Sequence, residues 1–262
     1  MLIEISKKDG IIKNNSSVII LSLTEGKKKY LAKYILKKFL DEGIINRGQP
    51  IVVPTSGKMG LALAELYCMG NNPVFCVTSK KNPEYTEKIQ ELSNGNVFEV
   101  DSNGKLNMMN QRNFAWRKAK EIGGFYLDQY TLSEQEDCYR QLCNQYIPKE
   151  FVIDCYIENV ATGGTFLGFY NELSKRNPSC RFFVTKLPTQ KKEFFEGIPL
   201  LKKTKYEIFE YPTANFDKKN LSNLLKQKGI TKKITFAYTA IISAIHFANH
   251  NDNKKILVFI GD

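Results

Sequence analysis

Two short segments of the 262-residue chain carry residue types suited to holding anions. Pro54-Thr55-Ser56-Gly57-Lys58-Met59-Gly60 directly follows the apolar run Ile51-Val52-Val53 and leads into residues with helical spacing. Its two hydroxyls and flexible glycine suit a carboxylate. So do its helix-start N–H groups, because the first N–H groups of a helix have no partner inside it. Ala161-Thr162-Gly163-Gly164-Thr165 likewise lies between an apolar run and a helical one. Paired glycines let backbone N–H groups close on a phosphate, and the threonines add hydroxyl donors. Neither segment is the GxxxxGK[ST] nucleotide loop or the GxGxxG dinucleotide turn. Each alone fits an ordinary tight turn as well as a binding site. One in each half of the chain, they point to a two-part pocket.

The elements that must carry these turns alternate. Short apolar runs at 18–21 and 51–53 read as strands buried on both faces, and further strands are expected at 74–77, 97–100, 181–185 and 255–260. Gly123-Gly124-Phe125-Tyr126-Leu127 follows a helical stretch, and a second alternating unit starts at 151–157. Helical spacing appears at 30–40 (with Gly43 beyond it as a C-cap), 61–69, 84–93, 110–122, from Phe166, and at 240–249. Strands alternating with helices predict parallel sheets covered on both faces. Ligands in such folds bind beyond the carboxyl ends of the strands, where both turns lie. Two α/β units meeting near residue 130 fit the pattern, with no internal repeat and no low-complexity linker.

Composition bounds the function classes. Hydrophobic residues at 42% and charged residues at 25% are ordinary for a globular chain and exclude a disordered tail or a small disulfide scaffold. The net charge of +11 invites a nucleic-acid reading, but the lysines come as scattered pairs rather than one basic stripe. A solvated lysine-rich surface is expected, with no specific nucleic acid as partner; such a field also suits a small anionic ligand. Met1-Leu2-Ile3-Glu4 places an acid inside the first apolar group, and no run approaches a membrane span. A cytoplasmic protein is expected, without membrane association. The cysteines, at 68, 76, 138, 143, 155 and 180, show no CxxC spacing and read as reduced residues, Cys68 and Cys76 as buried apolar ones. His246 and His250 stand four apart on a helix, without a carboxylate or cysteine nearby in sequence, so no metal is expected. Trp116 and the tyrosines are expected in the core.

The PTSGK and ATGGT pair resembles the cysteine synthase and cystathionine beta-synthase group of fold-type II pyridoxal-phosphate enzymes, which carry PTSGNTG and GTGGT. In that family the cofactor-bearing lysine precedes the asparagine of PTSGN by thirty residues; here that spacing from Lys58 falls on Lys28, within Glu25-Gly26-Lys27-Lys28-Lys29. The family's glutamine follows seventy-one residues after that asparagine, and Gln129 stands at that distance from Lys58. The resemblance covers residues 16 to 262 and thins after 170. Locally a lysine triplet reads as solvated surface, and only the register lifts Lys28 above its neighbours.

The resemblance implies two three-layer α/β/α domains with mainly parallel sheets, the tryptophan synthase beta-like fold. Residues 22–132 would form a smaller domain carrying PTSGK; residues 1–21 and 133–262 would form a larger one carrying ATGGT. It implies pyridoxal 5'-phosphate as cofactor. Lys28 would take its aldehyde and then act as base at the substrate α-carbon. Thr162, Gly163, Gly164 and Thr165 would hold its phosphate; Lys58, Gly197 and Thr239 would also line it. Thr55, Ser56, Gly57, Met59 and Gln129 would bind the amino-acid substrate. The implied reaction is β-replacement or β-elimination on a serine-type amino acid of the O-acetylserine or phosphoserine class, by a homodimer. The departures are specific: Lys58 replaces the asparagine, Met59 a threonine and Ala161 the first glycine of GTGGT. The segment before Glu196-Gly197-Ile198-Pro199 is shortened, and Ala237-Tyr238-Thr239 stands where the family has SSG. They leave a second expectation open, a catalytically degenerate relative with a ligand-binding or regulatory role.

Overall fold

The computed structural model describes residues 1–55, 57–67, 72–78, 83–93, 96–100, 108–212, 217–230 and 237–261. In chain order its elements are β1 (Leu2–Ile5), β2 (Ser17–Ser22), α1 (Lys27–Asp41), β3 (Ile51–Pro54), α2 (Lys58–Tyr67), β4 (Val74–Thr78), α3 (Pro83–Leu92), β5 (Val97–Glu99), α4 (Met108–Glu121), β6 (Phe125–Tyr126), α5 (Glu134–Tyr146), β7 (Cys155–Glu158), α6 (Gly164–Arg176), β8 (Arg181–Lys186), α7 (Glu193–Glu196), β9 (Glu207–Glu210), α8 (Lys218–Gln227), α9 (Ala237–His250) and β10 (Lys255–Ile260). The chain divides into two compact units. One holds Met1–Lys27 with Gln135–Asp262, the other Lys28–Glu134.

The first unit is built on a six-stranded sheet in the order β1-β2-β10-β7-β8-β9. Only β1 is antiparallel; every other pairing is parallel. Alternation along the strands sorts their side chains onto two faces. Val18, Ile20, Cys155, Ile157, Phe183, Ile256 and Val258 pack with Leu221 and Leu225 of α8 and Ile241 and Ile245 of α9. The opposite face is aromatic. Tyr156 stacks on Phe169 of α6 at 5.1 Å between ring centroids, and Phe169 stacks on Phe259 at 5.2 Å. Tyr139 of α5 meets Phe259 edge-on at 6.3 Å. The α5–α6 contact is close because Gly168 has no side chain: a Cβ there would lie 2.6 Å from the Cβ of Tyr139. Emptying one of these fully buried aromatic sites costs roughly 3–5 kcal/mol.

The second unit is a four-stranded, all-parallel sheet in the order β5-β4-β3-β6. Val52 and Val77 face Ala115 and Ala119 of α4. Gly60 of α2 lies against Cys76 and against Ile89 of α3. Phe39 of α1 reaches Phe125 at 5.4 Å.

Several expectations shift. Strand β7 begins at Cys155 rather than at 151, and Val152 is exposed. Helix α2 begins at Lys58 rather than Leu61, so the turn runs straight into the helix. Helix α1 begins at Lys27, which puts Lys28 in its first turn. Trp116 is a correction: it is 47% exposed on α4 rather than in the core, and the ammonium of Lys120 sits 3.8 Å above its ring. Among the described residues no helix is long and apolar enough to cross a membrane. Cys76, Cys138, Cys143, Cys155 and Cys180 are free and buried; Cys68 lies outside the described residues.

Candidate functional site

In the second unit the turn after β3 is organised by Thr55, which is 1% exposed. Its hydroxyl oxygen accepts the N–H of Gly57 at 3.0 Å and of Gly60 at 3.1 Å, capping the start of α2. In this conformation the N–H of Gly57 is therefore engaged inside the turn. Both glycines are required: Gly57 has φ +136°, and a Cβ there would fall 2.7 Å from Cγ of Tyr85. At Gly60 a Cβ would lie 2.7 Å from Cγ2 of Thr55. Lys58 is half-buried at the first position of α2, and Met59, 1% exposed, lies in the core. Ser56 lies outside the described residues.

Lys28 and Gln129 come together in the same unit. Lys28 Nζ donates to Gln129 Oε1 at 3.2 Å, and Gln129 Nε2 donates to the carbonyl oxygen of Pro54 at 3.3 Å. Three stretches distant in sequence thus meet at the carboxyl ends of β3 and β6. Lys27 and Lys29, the flanking members of the triplet, are ion-paired with Glu158 and Glu65 respectively, each at 2.8 Å. The turn bearing Gln129 is held by its neighbour Asp128, whose carboxylate accepts from Arg112 and from the N–H of Tyr130. Burial and the Asp128 charge push the Tyr126 hydroxyl up to about 12, and the same two causes raise Tyr130. No motif in the sequence marks Arg112 or Asp128.

In the first unit the glycine-rich turn follows β7 and opens α6. Gly163 is the N-cap, with φ +85° and no side-chain cap on the helix. A Cβ on Gly163 would lie 2.9 Å from Cγ2 of Ile198 and 3.1 Å from Cβ of Leu200, so the 198–200 segment lies on the turn. Gly197 itself is exposed and caps α7 through its N–H to the Glu193 carbonyl at 3.1 Å. The Thr162 hydroxyl donates to Oε1 of Gln135 at 3.2 Å, and a Cβ on Gly164 would lie 2.6 Å from the Gln135 Cβ. Thr165 is half-buried in the first turn of α6. Asn159, two residues before Ala161, donates from Nδ2 to the Thr239 hydroxyl oxygen at 3.0 Å, which places Thr239 in the first turn of α9 beside this stretch. Gln135 and Asn159 are the supporting residues that sequence reasoning missed, since neither belongs to a motif.

A sequence profile described as pyridoxal-phosphate dependent enzyme matches residues 21–200. The chain belongs to that family. It is 25% identical over 147 residues to cystathionine beta-synthase of Rattus norvegicus, covering 53% of this chain and 26% of that protein. The chain thus spans about a quarter of the length of the curated relatives it matches. The fold is similar to O-acetylserine dependent cystathionine beta-synthase from Helicobacter pylori, with TM-score 0.80 and 17% identity over 100% of this chain and 92% of that one. An O-ureido-L-serine synthase gives TM-score 0.79 and 17% identity, covering 100% and 88%. These likenesses show the fold, mixed α/β with parallel sheets of fold type II.

The family's cofactor is pyridoxal phosphate, and the residues present fit it. The turn at 162–165 offers the Thr165 hydroxyl and an uncapped helix start entered through a left-handed glycine, with the Thr162 hydroxyl engaged by Gln135 and no acidic residue between Asn159 and Tyr170. Such an all-donor set suits a phosphate dianion. Lys28 supplies a half-buried primary amine, oriented by a neutral amide. The histidines form a separate feature: their rings stand 4.3 Å apart, and His250 Nδ1 contacts the His246 carbonyl oxygen at 2.7 Å. Among the described residues no group of three or more His, Cys, Asp or Glu side chains is placed to hold a metal.

Proposed function

We propose that this chain catalyses β-replacement or β-elimination on a serine-type amino acid, of the O-acetylserine or O-phosphoserine class. The observation that carries the reading is the pair of hydrogen bonds joining Lys28, Gln129 and Pro54. Of the three lysines in the triplet, Lys28 is the one that Gln129 binds. The amide oxygen of Gln129 fixes the direction of the Lys28 amine. When bound, pyridoxal phosphate supplies the electron sink for negative charge developing at the substrate α-carbon. Lys28 would hold the cofactor and accept the substrate α-proton, while the leaving group departs from the β-carbon with its bonding pair and an added nucleophile takes that position. Thr162, Gly163, Gly164 and Thr165 would hold the phosphate with Thr239 as a further contact to the cofactor, and Thr55, Ser56, Gly57 and Gln129 would receive the substrate carboxylate. The H. pylori protein is O-acetylserine dependent and the synthase makes O-ureido-L-serine; both names support a serine-type substrate here. The same proposal includes a cytoplasmic homodimer, which sedimentation of the purified chain tests for its assembly.

The decisive test is the visible absorption of the purified chain with added pyridoxal phosphate, against Lys28→Ala. A band present in the wild type, lost in the variant and altered by O-acetylserine or O-phosphoserine is expected, with release of acetate or phosphate. Turnover by Lys28→Ala at the wild-type rate overturns the reading. A second reading, a relative that holds a ligand without turnover, draws on Lys58, the half-buried amine at the head of α2. Cofactor affinity gained in Lys58→Asn would favour it.

A further inference from the structure

Lys27 is the last residue of the first unit and Lys28 the first of the second. Lys27 is fixed at every point. Its Nζ pairs with Glu158 Oε1 at 2.8 Å and lies 4.3 Å from the centroid of the Phe259 ring. Its carbonyl oxygen accepts the Tyr139 hydroxyl at 3.3 Å. A Cβ on Gly261 would overlap its Cγ and crowd its backbone N. The other carboxylate oxygen of Glu158 accepts the hydroxyl of the fully buried Tyr156 at 2.7 Å. The Lys27 and Glu158 side chains are 15% and 5% exposed, whereas Lys29 and Glu65 are 35% and 38% exposed.

The pair sits among aromatic rings, where charge is costly to bury. Replacing a buried ion pair with apolar residues of similar volume is often neutral or stabilising, so stability is a weak account of its presence. Its position suggests another role. The chain offers three consecutive amines at the start of α1, and a carbonyl reagent does not distinguish one lysine amine from the next by identity. A lysine nitrogen engaged by a carboxylate, set over an aromatic ring and largely covered has to leave those contacts before it can attack a carbonyl carbon. We propose that Glu158 decides between Lys27 and Lys28: it anchors the Lys27 side chain in a covered ion pair and so reserves the amine chemistry for Lys28, an assignment that rests on the reading of Lys28 given above. Glu158 is on this account a positioning residue, acting through Lys27.

Two readouts test it. The protein without added cofactor is treated briefly with a water-soluble acylating reagent, and modified lysines are located by tandem mass spectrometry. Lys27 should be modified at least tenfold more slowly than Lys29 in the wild type, and that protection should vanish in Glu158→Gln. The protein loaded with pyridoxal phosphate is then reduced with borohydride and mapped. The wild type should carry the pyridoxyl label on Lys28 alone, Glu158→Gln on Lys27 as well, and Lys27→Met/Glu158→Gln on Lys28 alone again. If Glu158→Gln does not fold, Glu158→Asp keeps the charge, lengthens the contact and should release Lys27 in the same two assays. A wild-type label on another lysine overturns the reading of Lys28 itself. A label on Lys28 in the wild type, with Lys27 still protected and unlabelled in the Glu158 variant, leaves that reading standing and overturns the role of Glu158.

Discussion

Asp128 accepts both Nε and Nη2 of Arg112 on one carboxylate oxygen, at 2.8 and 2.5 Å. Its other oxygen takes the N–H of Tyr130 at 3.0 Å, so the residue between them, Gln129, is carried on a turn braced from both sides. Asp128 is 8% exposed, and a charge-assisted network of this kind contributes more than a surface pair. Asp128→Asn keeps the shape and removes the charge. The expected outcome is a loss of about 1–3 kcal/mol in urea unfolding, together with a raised KM for the amino-acid substrate and a smaller change in kcat. An unchanged KM with lowered stability would restrict Asp128 to the fold.

Gly57 makes a sharper prediction about the turn after β3. An alanine there meets two separate penalties: φ +136° is strained for any residue with a side chain, and its Cβ would lie 2.7–2.9 Å from atoms of Tyr85. Gly57→Ala should lower stability by about 1–3 kcal/mol and weaken substrate binding. In a double-mutant cycle, Tyr85→Ala removes the ring but keeps the Cβ 2.9 Å away, so it should recover only part of the steric penalty and leave the backbone strain. Full recovery would mean the backbone had found another path and that Gly57 is not needed for its φ.

Where sequence reading succeeds and fails follows from range. Strands β2, β3, β8 and β10 are legible because they are buried on both faces and read as unbroken apolar runs. Strands β1 and β9 are four-residue edge strands interrupted or bounded by glutamates, LIEI and EIFE, and give no such signal. Helix α5, unmarked in the sequence, supplies Gln135 under the glycine-rich turn and Tyr139 against Lys27. Lys28 and Gln129 are visible through spacing; Arg112, Gln135, Asn159 and Glu158 are not, since each acts on a partner remote in sequence and belongs to no motif. Trp116 shows the limit of residue-type reasoning. An indole is usually buried, yet this one is on the outer side of α4 under a lysine.

Burial drives the thiols up. Those of Cys76, Cys143, Cys155 and Cys180 move from 9.0 to about 12, and Cys138 also rises. A group whose folded value is raised binds its proton longer in the native state than in the unfolded chain. Its contribution to stability is full below about 9 and is lost as the pH climbs toward about 12. The urea midpoint should therefore hold steady up to pH 9 and fall between pH 9 and 11. At pH 8 these five cysteines should resist a thiol reagent until denaturant is added. Rapid labelling of any of them in the native protein would contradict the burial.

Thr185 of β8 and Ser243 of α9 are both 0% exposed, and among the described residues their hydroxyls have no hydrogen-bond partner. An orphaned buried hydroxyl costs roughly 1–3 kcal/mol of desolvation that nothing returns. Valine reproduces the branched shape of threonine and alanine nearly that of serine, so removing the oxygen should cost little packing. Thr185→Val and Ser243→Ala should each raise Tm by about 2–4 °C, the shift that roughly 1 kcal/mol produces in a chain of this size, with cofactor binding unchanged. A drop in Tm for either variant would show that its hydroxyl is satisfied after all. A drop confined to the double variant would show that the two oxygens support the core jointly.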